Sequence, residues 1–419
     1  MVLTVPTAEV RVSLTQPITA GVVASLVGFT SSFAVVLTGL RAVGASPEQA
    51  ASGLFALCLA IAIGVGFLAT RYRMPITLAW STPGAALLAG TVTPDGGFPA
   101  AVGAFALVGV MVIATGLWPR LGALVQAIPT PIAQAMLAGI VLPLCLEPVR
   151  AVAAGPLAIA PVIVVWLILI RYAKRWAVPA AFGTAAVVIA VVLLTSDKGV
   201  TADSLIPRMD LVVPEWTWQA CVGIALPLYI VTMASQNLPG TAVMSSFGYR
   251  IPWRPSMLVS GALTSLVAPA GGHAVNLAAI SAALTAAPAA EPNPRRRWIA
   301  AAAVSPVYLI LGIGSAAVAA LVTIAPTGLV ETVAGLALLD TLAGALAAAL
   351  HDDRSRTAAI TTFVVAAAGI SVAGIGSAFW ALVAGLVVYS VLKSSPGSTT
   401  PSASTSESEM PSRDKNASS

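Results

Sequence analysis

The stretch Met74-Pro-Ile-Thr-Leu-Ala-Trp-Ser-Thr-Pro-Gly-Ala-Ala-Leu-Leu-Ala-Gly90 is apolar enough to enter a bilayer, yet two prolines and a Ser-Thr-Pro-Gly cluster interrupt it. Thr82-Pro83 reads as a helix start, with Thr82 as N-cap, Pro83 at the first helical position, then Gly84 and a helix-compatible Ala/Leu run. Upstream, Ile76-Thr-Leu-Ala-Trp80 carries β-branched and aromatic residues and reads as extended. The stretch predicts a short extended lead-in followed by a half-helix that starts near mid-membrane.

The chain around it is built for lipid. Of its 419 residues, 58% are hydrophobic and 9% charged, with a mean hydropathy of +0.93. Soluble domains carry roughly 25% charged residues, so most of this exterior must face a bilayer. Apolar runs of about 18 to 22 residues recur from Pro17 to Leu392, each able to cross a hydrocarbon core of about 30 Å. They predict an all-α integral membrane protein with fourteen segments, at 17–40, 47–69, 75–90, 99–118, 122–144, 156–171, 178–195, 219–239, 255–269, 273–287, 299–323, 327–349, 357–373 and 375–392. Gly and Pro breaks leave twelve as the lower count. No separate signal peptide is expected, because the first apolar run leads straight into further spans. Cys58, Cys145 and Cys221 are scattered without metal-type spacing and read as small core residues. There is no nucleotide-binding loop, and His273 and His351 are too few for a zinc-hydrolase site. The pattern points away from an enzyme, a metal, a cofactor or a nucleic-acid partner.

With fourteen spans and the N-terminus inside, only Arg41, Arg150, Lys198 and Arg208 of the 21 Lys and Arg residues fall on the outer side. That asymmetry follows the positive-inside rule and places both termini in the cytoplasm. Two weak internal matches suggest a repeat. Pro129-Thr-Pro-Ile-Ala-Gln-Ala-Met-Leu-Ala-Gly139 resembles Pro326-Thr-Gly-Leu-Val-Glu-Thr-Val-Ala-Gly335, and Ala45–Gly53 shares a Pro-x4-Ser-Gly spacing with Trp253–Gly261. Both offsets are near half the chain and join segments seven apart, an odd number, so the halves form a 7+7 inverted repeat.

Seven segments after the opening stretch lies Gly271-Gly-His-Ala-Val-Asn-Leu-Ala-Ala-Ile-Ser-Ala-Ala-Leu284. It has the same plan, with an extended His-Ala-Val, Asn276 as N-cap and an Ala-rich half-helix. Each helix start exposes unpaired N–H groups and about half a positive charge, so two starts meeting at mid-membrane form an anion site. Unpaired backbone at that depth is tolerable only where it lines a cavity. The plainer alternative is a pair of ordinary Pro/Gly kinks. Ser235-Gln236-Asn237 and Thr30-Ser31-Ser32 after Phe29 are further polar groups in apolar runs, serving as interhelical glue or ligand contacts. Titratable groups within spans are His273, Glu331 and Asp340; the last two lie on opposite helix faces.

Three strings, Arg73–Leu87, Ser235-Gln-Asn-Leu-Pro-Gly240 and Pro269-Ala-Gly-Gly-His-Ala-Val-Asn276, closely resemble the bacterial benzoate/proton symporter family (BenE) over about residues 12–393. The resemblance implies benzoate uptake driven by the proton gradient, and a fold like that of uracil/xanthine permeases and sulfate-type anion carriers. It further implies a core domain (17–118 and 219–323) and a gate domain (119–195 and 324–393), to which charge distribution and composition add a cytoplasmic N-terminus (1–16), an extracytoplasmic loop (196–218) and a disordered cytoplasmic tail (394–419). A homodimer in the inner membrane is compatible with the family. Uracil-type permeases carry acidic residues in spans 8 and 10, where this chain has Gln236 and Asn276; neutral amides suit a carboxylate better than an acid would.

On this reading Ser81, Thr82 and Asn276, with the adjacent backbone at Gly84 and Leu277, hold the carboxylate. Phe29, Gln236 and Asn237 line the ring pocket, with His273 beside it. His273, Asp340 or Glu331 exchanges the proton. Another anion or a nucleobase on the same fold, or a passive anion channel, is the competing expectation.

Overall fold

The computed structural model describes residues 14–195, 205–373 and 375–394. The N-terminal segment up to residue 13, loop residues 196–204 and the tail from 395 lie outside the described residues.

The apolar runs form helices. In the first half these are α1 (Thr15–Thr30), α2 (Phe33–Ala42), α3 (Pro47–Tyr72), the strand β1 (Leu78–Trp80), α4 (Thr82–Ala89), α5 (Gly97–Leu117), α6 (Pro119–Gln126), α7 (Thr130–Ala154), α8 (Pro156–Tyr172) and α9 (Ala177–Thr195). In the second half are α10 (Trp218–Ser246), α11 (Trp253–Val267), the strand β2 (Val275–Leu277), α12 (Ile280–Ala286), α13 (Trp298–Ile313), α14 (Ser315–Ile324), α15 (Leu329–Ala349), α16 (Arg356–Ala367) and α17 (Ser377–Ser394). Eight helical stretches among the described residues are long and apolar enough to cross a membrane, α1 and α2 counting as one stretch. α8, α14, α16 and α17 are apolar but shorter.

Local chemistry sets the boundaries. Ser46 and Gln49 close a reciprocal capping box at the start of α3, with Pro47 just inside. The α1–α2 break falls at Ser31 and Ser32, whose hydroxyls donate to the Gly28 carbonyl at 3.0 and 3.2 Å. Two π-helical turns, Cys221–Ala225 and Met233–Asn237, interrupt α10. The fifth segment does not begin at residue 122. The chain ends α6 at Gln126 and restarts at Thr130, because Pro129 lacks an N–H and biases Ile128 away from helix.

Helices pack in two groups. α5 lies along α11, and α13 against both α1 and α3; separately, α7 packs on α15 and α16, α16 on α17, and α8 on α9. The groups touch where α4 meets α7 and α2 meets α15. Lipid offers little hydrophobic drive between helices, so close approach through small residues supplies the attraction. At the α5–α11 crossing, a Cβ on Gly109 would stand 2.2 Å from Ser265 Oγ and 2.6 Å from the Gly261 carbonyl. Outward surfaces are apolar, as at Leu157 and Leu194, which are 93% and 87% exposed.

Gly109→Val overpacks this crossing by about 1–3 kcal/mol. It is expected to lower the thermal midpoint of the detergent-purified protein by several degrees. Gly183→Ala, where no atom lies within 4 Å of an added Cβ, is expected to leave it unchanged.

Candidate functional site

After α3 the chain turns through Arg73, in the left-handed region at φ 52°, with its guanidinium over the Trp298 ring. It then runs extended into β1. From the other half, a 3-10 turn at Ala268–Ala270 and Gly271, at φ +90°, deliver the chain to β2. The two broken segments meet as an antiparallel ribbon in the register Leu78↔Leu277, Ala79↔Asn276 and Trp80↔Val275. The pairing continues on both sides, Ser81 N–H donating to the Ala274 carbonyl and Ala278 N–H to the Thr77 carbonyl, both at 3.0 Å.

The N–H groups that point away from the partner strand are also satisfied. Val275 N–H donates to Thr264 Oγ1 and Leu277 N–H to Asn237 Oδ1, each at 2.9 Å. α11 and α10 thus supply by side chain what a third strand would supply by backbone. Asn237 is fully buried, and its Nδ2 is 3.2 Å from Met233 Sδ. It ties α10 to β2.

Side chains alternate across a strand. Leu78, Trp80, Val275 and Leu277 share one face of the ribbon; Thr77, Ala79, Ser81 and Asn276 share the other. The first face anchors. Trp80 Nε1 donates to Ser32 Oγ at 2.8 Å, and the indole lies edge-on to Phe29 and Tyr308, at centroid distances of 5.6 and 5.9 Å. Phe29 stacks on Phe33, which meets Phe182 of α9 edge-on at 4.6 Å.

The second face carries the polar groups. Ser81, not Thr82, is the N-cap of α4; its Oγ accepts from Gly84 N–H at 3.1 Å. Thr82 is the first helical residue and is half-buried. The same Ser81 Oγ accepts from Thr232 Oγ1 at 2.9 Å. A Cβ on Gly84 would lie 2.4 Å from Leu228 Cδ1 and 2.7 Å from Ser81 Oγ, so α4 approaches α10 closely there. Asn276 does not cap a helix. It lies inside β2, α12 begins at Ile280, and Ala279 makes no side-chain cap. Asn276 Nδ2 donates to the Leu277 carbonyl at 2.9 Å, whereas its Oδ1 is buried with no partner. Gln236 is half-buried and makes no side-chain hydrogen bond among the described residues. His273 is fully buried edge-on to Phe105; the Ser81 carbonyl approaches its ring without reaching hydrogen-bonding geometry.

The other two titratable residues sit elsewhere. Asp340 is exposed and pairs at 3.0 Å with Lys174, on the turn between α8 and α9. Glu331 is half-buried in the first turn of α15. No group of three metal-ligating side chains comes together among the described residues. Ser32, one of the polar groups expected as interhelical glue, serves Trp80 in that way, whereas Thr232 and Thr264 carry contacts that sequence reasoning passed over. Thr232 had one signal, its place one helical turn before Ser235-Gln236-Asn237.

A broken-helix pair joined at its unwound strands, inside a bundle of apolar helices, defines a membrane transport protein rather than an enzyme. The fold is that of solved anion transporters. The transmembrane domain of a cyanobacterium bicarbonate transporter BicA superposes with a TM-score of 0.60 at 17% identity, over 89% of this chain and 97% of that one. SLC26A9 matches at 0.60 and 13%, over 93% of this chain and 66% of that chain. The chain belongs to the benzoate membrane transport protein (BenE) family, whose profile matches residues 12–391. It is 36% identical over 378 residues to the inner membrane protein YdcO of Escherichia coli strain K12, covering 89% of this chain and 95% of that protein. It is 30% identical over 379 residues to the benzoate membrane transport protein of Acinetobacter baylyi, covering 89% and 94%.

Asn237→Leu strips the acceptor from the Leu277 N–H, a cost of about 1–3 kcal/mol. A marked drop in thermal midpoint is expected. Gln236→Leu, which breaks no hydrogen bond, is expected to leave that midpoint in place.

Proposed function

We propose that this chain is a secondary active transporter that imports benzoate, or a close aromatic carboxylate, together with a proton. The observation that carries the reading is the β1–β2 ribbon. It sets the capped start of α4, at Ser81 and Thr82, on the same face as Asn276, whose buried Oδ1 has no partner. The carboxyl group binds at Ser81, Thr82 and Asn276; the N–H groups of Gly84 and Leu277, taken up by Ser81 Oγ and Asn237 Oδ1, hold those residues in place. Gln236, half-buried and with a side chain free of hydrogen bonds among the described residues, bounds the space for the ring, while Phe29 and Asn237, named with it from the sequence, hold the ribbon itself. The family and the A. baylyi relative, by its printed name, support benzoate as the substrate.

The site is electrically spare. Glu291 and Arg297 are the buried charged residues among those described, and Arg297 spends its guanidinium on carbonyls of the 286–292 turn beyond α12. A carboxylate here meets hydroxyl and amide groups and no cation, so it relies on an accompanying proton. His273, Asp340 and Glu331 are the protein groups available to exchange that proton, His273 being the one beside the ribbon.

The mechanism is alternating access. The group containing α1–α5 and α10–α14 acts as the core, and that containing α7–α9 and α15–α17 as the gate, in fourteen membrane segments related as a 7+7 inverted repeat. The two packed helix groups and the fold shared with anion transporters support this division. Both termini lie on the cytoplasmic side, as the Lys and Arg distribution demands. A second reading, carriage of a different anion such as bicarbonate, draws on the same fold likeness.

Labelled benzoate counterflow in proteoliposomes tests the proposal. Exchange-accelerated uptake, further stimulated by an inward proton gradient, is expected. A channel would show no exchange acceleration, and a carrier of other anions would ignore benzoate. Asn276→Ala is expected to weaken benzoate affinity about tenfold or more, as for loss of a hydrogen bond to a charged or strongly polar group. Unchanged affinity would remove the ribbon from the site.

A further inference from the structure

We infer that the transported proton rides on the substrate: the ribbon binds a neutral aromatic carboxylic acid, with Ser81 donating to its carbonyl oxygen and Asn276 Oδ1 accepting from its hydroxyl. The inference rests on the proposed benzoate function and names the protonation state in which the substrate is held.

Ser81 is fixed as a donor. A serine hydroxyl has one proton and two lone pairs. Both lone pairs of Ser81 are occupied, by Gly84 N–H at 3.1 Å and by Thr232 Oγ1 at 2.9 Å. Thr232 is free to serve because it departs from the habit of this protein. Within its helices, threonine hydroxyls turn back to the carbonyl four residues earlier, as at Thr30, Thr70, Thr115, Thr264 and Thr332. Thr232, at the edge of the π turn Met233–Asn237, gives its proton to Ser81 instead. What remains to Ser81 is its own O–H.

Asn276 is fixed as an acceptor. Its Nδ2 donates to the Leu277 carbonyl at 2.9 Å, so turning the amide over would set two oxygens against each other. Oδ1 is thereby held in place, fully buried and unpartnered. An unpaired buried acceptor repels a carboxylate oxygen and attracts an O–H. Ala79 faces Asn276, and Ser81 is two residues further along β1, so Ser81 and Asn276 are diagonal neighbours on one face. Side chains so placed are about 7–8 Å apart at Cα, a gap that one carboxyl group spans. A donor and an acceptor side by side match COOH, whereas COO⁻ would need two donors.

No charged side chain supplies an alternative partner. On the elements packed against the ribbon, Arg41, Glu48, Arg71 and Arg254 are exposed near helix ends, and Glu147 pairs with Arg150. The uncharged titratable groups there are Cys58, Tyr72, Cys145, Cys221, Tyr229, Tyr308 and His273, Tyr72 lying under Arg71 at the end of α3. Tyr229 bonds Thr115, and His273 is the one beside Ser81. The proton balance is simple. The carboxylate takes a proton from bulk water, the neutral acid binds, and the same proton leaves with it on the far side; no bond within the protein is made or broken.

Equilibrium binding to the purified full-length protein, over a range of pH and with ring-substituted benzoates of graded acidity, decides the matter. If the acid binds neutral, the apparent Kd rises about tenfold per pH unit above the pKa of each acid, and the break follows the acid used. Benzamide, which offers C=O and N–H in the same places, competes with a pH-independent Kd. Thr232→Val, which releases Ser81 to turn its lone pair outward, weakens both ligands about tenfold, and Thr232→Ser restores them. A break at one pH for every acid, with benzamide ignored, assigns the proton to a protein group such as His273 and overturns the inference while leaving benzoate transport standing. Failure of every benzoate to bind at any pH overturns both.

Discussion

A bilayer core offers no water to an unpaired peptide group, and that constraint organises this protein. Two segments unwind inside a bundle of apolar helices, which is tolerable only if each freed N–H and C=O finds a partner. Here they find one another, through the β1–β2 ladder and its flanking bonds at Ser81 and Ala278. The outward N–H groups of β2 fall to Thr264 and Asn237, and the start of α4 to Ser81. Three small polar side chains therefore do what a wider sheet would do. The position of α10 and α11 against the ribbon is set by their reach.

The ribbon divides its labour by face. Its apolar side is clamped by Trp80, whose indole satisfies its one donor on Ser32 and packs against Phe29 and Tyr308. Its other side presents Ser81 and Asn276 with nothing charged beside them. In a low-dielectric interior a lone cation would be costly and would hold an anion too firmly to release it. Hydroxyl and amide groups, oriented by their own bonds, give direction without fixed charge.

The helical segments and the two interruptions were legible because each is written locally. Apolar runs of spanning length and Pro/Gly breaks are properties of neighbouring residues. The errors lie where two local meanings look alike. Thr82 and Ser81 are both good caps before Pro83, and the backbone at Ser81, extended at ψ 93°, gave the role to Ser81. Asn276 reads as a helix cap from composition, yet it pairs across a strand, because a short polar side chain serves either place. Pro129 moved the start of α7 from the apolar run at 122 to Thr130. Asp340, seemingly deep in a span, reaches Lys174 on the adjoining turn. Thr232 was invisible, since a helical threonine ordinarily bonds its own helix.

The sequence by itself determined a polytopic helical membrane protein, the places where two segments break, and the residue types set at those breaks. Hydrophobicity, proline and glycine act over a few residues, so a linear reading captures them. Only the tertiary structure decided that residues 78–80 and 275–277 pair, in which register, and hence which side chains share a face. It also decided that Asn237 spends its amide on the backbone while Asn276 keeps a bare oxygen. Those outcomes depend on contacts between residues some two hundred positions apart, set by how apolar helices pack around groups that lipid cannot solvate.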